Sequence, residues 1–64
     1  MKWTDSREIA IALADKFPET DAQSIRFTDL VQWIMALDGF SDTLDHCNEK
    51  ILEAIQMLWI EESD

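Results

Sequence analysis

Basic residues are scarce in this chain: five Lys and Arg stand against fourteen Asp and Glu, a formal net charge of −9. A phosphate backbone is bound by displacing its counterions with lysines and arginines, so a nucleic-acid partner is excluded by sign. Anionic membrane surfaces are excluded for the same reason. Glycine and proline occur once each, as Gly39 and Pro18. That leaves nothing from which to build a glycine-rich phosphate loop, a flexible linker or a strand-and-turn fold. Cys47 and His46 are the only cysteine and histidine. No intramolecular disulfide can form, and a four-ligand structural zinc site is out of reach. A small secreted domain would need bridges, so a reducing, cytoplasmic setting is expected. Long apolar runs are missing too. The longest, Ile9 to Ala14, is far too short to span a bilayer, and the first residues lack a signal-peptide pattern.

What is present is apolar content at 47% in 64 residues, enough for one folded domain with a thin core. Helix periodicity and capping residues predict an all-α, compact three-helix bundle over 1–64, with helices near 5–16, 28–38 and 48–62. Asp5 with Glu8 forms a capping-box-like start for the first helix, and Pro18 ends it. Thr28 is the expected N-cap of the second helix and Gly39 its left-handed terminator. Asn48 is the expected N-cap of the third, whose acidic end at Glu61, Glu62 and Asp64 opposes the helix dipole and is expected to fray. Residues 18–27 read as a connector, either a single helical turn or a brief extended stretch. Ile9, Leu13, Phe17, Trp33, Ile34, Leu37, Ile51, Ile55 and Trp59 are the expected core. In the second loop, Phe40 and Leu44 are expected to fold onto that core, leaving Asp42 and Asp45 in water. Trp3 is expected to act as a hydrophobic staple on the first helix.

Three groups of residues invite a chemical reading. His46 beside Cys47 could be an activated nucleophile or a soft ligand pair. Adjacent side chains rarely orient each other, however, and no third group stands out, so both are expected to be dispensable. The tryptophans Trp33 and Trp59 lie on apolar stripes and belong to the core before any binding role. The acids are the strongest group. Asp5, Glu8, Asp29, Asp38, Asp42 and Asp45 are hard-oxygen donors that could hold a cation such as Mg²⁺ or Fe²⁺ weakly, or face a basic protein patch. The plainer alternative is that they keep a small domain soluble.

Taken in order, Trp3-Thr4-Asp5-Ser6-Arg7-Glu8-Ile9, Arg26-Phe27-Thr28-Asp29, Gln32-Trp33-Ile34 and Asn48-Glu49-Lys50-Ile51-Leu52-Glu53-Ala54-Ile55 with Trp59 resemble the IscX family across essentially the whole chain. The resemblance implies a small winged-helix-like domain of the bacterial iron–sulphur cluster assembly system. It implies an adaptor or regulator that binds the cysteine desulfurase IscS through an acidic surface, with Asp5, Glu8 and Asp29 inside the matching blocks. It also implies weak binding of iron, Fe²⁺ or Fe³⁺, and as an alternative a frataxin-like iron donor. Gly39, Ser41 and Thr43 dilute the acids of the second loop relative to the family pattern, which weighs against iron more than against the desulfurase. The expectation is a cytoplasmic monomer with no catalytic activity, no tightly held cofactor, and neither nucleic acid nor membrane as partner.

Overall fold

A computed structural model describes residues 1–63. Three helices follow one another, α1 (Ser6–Lys16), α2 (Phe27–Met35) and α3 (Glu49–Ser63), with a single 3₁₀ turn at Leu44–His46 before the last. The described residues contain no strand, so the all-α expectation stands. None of these helices is long and apolar enough to cross a membrane.

The helix ends show which local signals prevailed. Asp5 occupies the N-cap position of α1, but its carboxylate makes no cap bond. It turns back instead to accept the Lys2 N–H at 2.9 Å, while the Asp5 N–H donates to the Lys2 carbonyl at 2.9 Å. The expected capping box is replaced by a closed turn that delivers Trp3 to the core. At the other end the Phe17 N–H bonds the Leu13 carbonyl, and Pro18 stops propagation.

α2 begins one residue before the expected start. Arg26 takes an extended conformation (φ −85°, ψ 150°) and no side chain caps the helix. Thr28 therefore lies inside α2 rather than at its cap, because Phe27 is drawn against the core and enters the helix first. The helix also ends at Met35, short of 38. Beyond it the Leu37 N–H bonds the Ile34 carbonyl and the Phe40 N–H bonds the Leu37 carbonyl, a tightening into i+3 turns. Gly39 follows with φ 82°, the left-handed value that only glycine adopts freely.

For α3 the expected cap is realised: Asn48 Oδ1 accepts the Ile51 N–H at 2.9 Å. Glu61 and Glu62 lie within the helix, where Arg7 approaches Glu62 at 3.7 Å. Asp64 falls outside the described residues. The connector combines the two alternatives: a turn in which the Ser24 N–H bonds the Asp21 carbonyl and the Asp21 carboxylate accepts from the Gln23 N–H and the Ser24 hydroxyl, followed by the extended Arg26. Gln56 Nε2 then ties it to α3 by donating to the Ala22 carbonyl at 2.8 Å and, more weakly, to that of Ile25 at 3.4 Å.

α1 packs along α3 as the main interface, and α2 closes one side. Trp3, Ile9, Ala10, Leu13, Ala22, Leu30, Ile34, Leu37, Leu52, Ile55 and Trp59 fill the interior. Phe17, Trp33 and Ile51 were expected there but sit at its rim, half-buried. Phe17 stacks on Trp33 at 4.4 Å between ring centroids, and Trp33 leans on Trp59 at 6.3 Å. A chain of this size cannot enclose all its aromatics, so the outer rings cover the inner one.

Candidate partner-binding surface

The acids lie where the helix starts place them. Asp5 and Glu8 stand at the head of α1 and Asp29 in the first turn of α2, where the helix dipole favours negative charge. Glu8 and Asp29 are exposed, and Asp5 is partly covered by its own turn. Asp38 and Asp45 are exposed in the segment between α2 and α3, and Glu49 and Glu53 on α3 itself. Among the described residues the ion pairs are Arg7–Glu62 and Asp42–His46. Nearly all the negative charge therefore faces outward without a cation beside it.

Asp42 departs from its expected role. Its side chain is only 9% exposed. Asp42 Oδ2 accepts the Trp3 N–H at 3.1 Å, and Oδ1 accepts the Thr43 N–H at 2.8 Å. His46 Nδ1, one helical turn on, lies 2.5 Å from the same Oδ1. Trp3 is only 1% exposed. Its indole Nε1 donates to the Thr43 carbonyl at 2.7 Å, and its ring meets Phe40 edge-on at 4.8 Å. The Ser41 N–H bonds the Met1 carbonyl, and the terminal amine bonds the Gly39 carbonyl. Residues 39–46 thus clasp the N-terminal segment, with Asp42 as the pin. Donation from His46, then from Thr43 and Trp3, holds the Asp42 carboxyl down at about 2 against an ordinary 3.8. Leu44, expected against the core, is 57% exposed instead, because Phe40 already fills the space beside Trp3.

This geometry supplies the third group missing from the His46–Cys47 reading, but it directs His46 away from nucleophile activation. The Cys47 thiol is pushed up from its ordinary value by burial, the opposite of what a reactive thiolate needs. Among the described residues no three His, Cys, Asp or Glu side chains come together as a metal-binding group. The expected set Asp5, Glu8, Asp29, Asp38, Asp42 and Asp45 is spread over separate segments, and Asp42 is already engaged. A cation would meet exposed carboxylates singly or in pairs.

Sequence reasoning missed the clasp. Its one legible sign was the spacing of Asp42 and His46, four apart, which places two side chains together on any helical turn. Asp15, on the last turns of α1, was also passed over; it lines a shallow groove with Ala12, Lys16, Leu37 and Asp38.

Comparison with known proteins bears on what such a surface serves. The family model described as iron-sulphur cluster assembly matches residues 1–64. A protein of Pseudomonas aeruginosa that is itself uncharacterized is 50% identical over 64 residues, spanning 100% of this chain and 97% of that relative.

Proposed function

This chain belongs to the iron–sulphur cluster assembly family, the IscX family, and from that premise we propose that it is an adaptor that docks on the cysteine desulfurase IscS through its acidic face. The observation that carries the reading is the outward display of acids, nearly all without a cation beside them, on a chain whose whole length matches the family. Asp5, Glu8 and Asp29 lie inside the blocks that resemble the family; Glu8 and Asp29 are exposed, as are Glu49 and Glu53 of the last block, while Asp5 is partly covered. Such a face draws a basic surface from a distance and orients it on arrival. On this reading the chain does no chemistry itself: it changes what the desulfurase does by occupying its surface.

Iron enters as a secondary ligand. Carboxylates suit Fe²⁺ and Fe³⁺, yet exposed acids on separate segments hold a cation weakly and give it up to competitors. The alternative, an iron donor to cluster assembly, requires selective binding. Titrating the desulfurase with this protein separates the two, first with added iron and then with a chelator. Complex formation is expected in both conditions. No binding in either overturns the adaptor reading, and a complex abolished by the chelator makes iron integral and favours the donor.

A further inference from the structure

A shallow groove of about 300 Å³ runs between the last turns of α1 and the turn that follows α2. Ala12, Asp15 and Lys16 line it from α1 at spacings of three and four, hence from one helix face, and Leu37 and Asp38 line it from the other side. Leu37 belongs to the buried core and Ala12 packs against that core, so these two apolar residues of the lining are held in place. Asp15, Lys16 and Asp38 are exposed, and among the described residues none of them is in an ion pair. Two carboxylates against one ammonium leave a single negative charge. That charge, at the small end of ligand-site volumes, suits one monovalent side chain. A bare divalent ion would want six or more oxygens.

We propose that this groove seats an arginine of the partner's basic surface, its methylene stem over Ala12 and Leu37 and its guanidinium between Asp15 and Asp38. A long cationic side chain lays its stem on apolar surface and keeps its head among acceptors. Arginine fits better than lysine because a planar fork of five donors can serve carboxylates on two separate segments, while an ammonium is a strongly hydrated point charge. The partner's identity rests on the desulfurase reading; the contact does not, since it uses residues outside Asp5, Glu8 and Asp29. The steering acids act on arrival and the groove acts on residence.

The test is an amide-shift titration of the full chain with capped hexa-arginine and, separately, hexalysine at physiological salt. Hexa-arginine is expected to perturb Ala12, Asp15, Leu37 and Asp38 first. Replacing Asp15→Asn with Asp38→Asn should weaken it about tenfold, while Glu49→Gln with Glu53→Gln, exposed acids of α3 outside the groove, removes the same charge and should cost less than about threefold. Ala12→Gln narrows the groove without altering charge and should also weaken the peptide. With the desulfurase, the groove pair should raise the dissociation rate. Equal losses from the two charge pairs, equal binding of hexalysine, saturation of the same residues by magnesium chloride, or groove shifts that vanish on dilution of the protein alone would each overturn the proposal. If the desulfurase fails to bind the unaltered chain, the adaptor reading falls, and the peptide titration still decides the groove.

Discussion

Asp42 shows how much one side chain can organise in a chain this small. It receives two backbone N–H groups and one imidazole, and through them it fixes Trp3, one of the largest fully buried side chains. The charged form is the one that accepts all three bonds, which is why its carboxyl titrates at about 2 rather than 3.8. In the unfolded chain the carboxyl takes up its proton at the ordinary value, before the folded one does. Acidification through that window therefore favours unfolding, and the stabilisation is fully present only above it. Asp42→Asn should flatten the loss of stability between pH 4 and 2 and lower the thermal midpoint at neutral pH. An acid-unfolding curve unchanged by the substitution would show that the clasp contributes nothing. His46 and Cys47 make a second case. Replacing both by alanine should lower the thermal midpoint, because Asp42 loses its imidazole partner, yet leave desulfurase affinity within about threefold. A tenfold loss would place one of them in the interface.

Helix ends are where residue-level chemistry becomes architecture, and here two similar signals had two outcomes. Asn48 caps α3 through the Ile51 N–H, so Asn48→Ala should cost about 1 kcal/mol in urea unfolding. Thr28 caps nothing, since α2 starts before it. Thr28→Ala should be neutral or slightly stabilising, because alanine is the better helix former. If the two substitutions cost the same, the assigned cap is wrong. Periodicity made α1 and α3 legible from the sequence, because their stripes repeat over three or more turns and face a real interface. The end of α2 was not legible. Ala36, Leu37 and Asp38 are all tolerable in a helix, and only the need to bring Phe40 beside Trp3 tightens the chain after Met35. Asp42 was misplaced for a related reason. A loop acid reads as solvated by default, and its long-range partner lies 39 residues back, at Trp3, where no local pattern reaches. Of the acids on helix starts, Glu8 and Asp29 are exposed, whereas Asp5 closes a turn on the Lys2 N–H that the capping-box pattern did not reveal.

The molecule as a whole measures 30 × 21 × 17 Å with a radius of gyration of 10.3 Å, close to the ~10.7 Å expected for a compact chain of this length. No point on such a body is far from its charge. A net −9 spread over so small a surface acts at range as one field rather than as separate pairs, and that sets what docking should look like. Exposed ion pairs contribute only ~0–1 kcal/mol each, so no single acid should be essential to desulfurase binding. Complementary fields mainly raise the encounter rate and lose that advantage in salt. Converting Asp5→Asn, Glu8→Gln and Asp29→Asn together should therefore weaken binding cumulatively, chiefly through a slower association rate. Raising salt to physiological strength should do the same to the unaltered protein, because the Debye length shrinks to ~8 Å, less than half of the 17 Å shortest dimension of the molecule. Stopped-flow association measured across a salt series, for the triple variant and the unaltered chain, checks both statements at once. The two plots of log rate against ionic strength should converge at high salt, with the triple variant starting lower and falling less steeply. Parallel lines would mean that the three acids act by contact instead of by field, and rates indifferent to salt would remove the electrostatic basis for docking altogether.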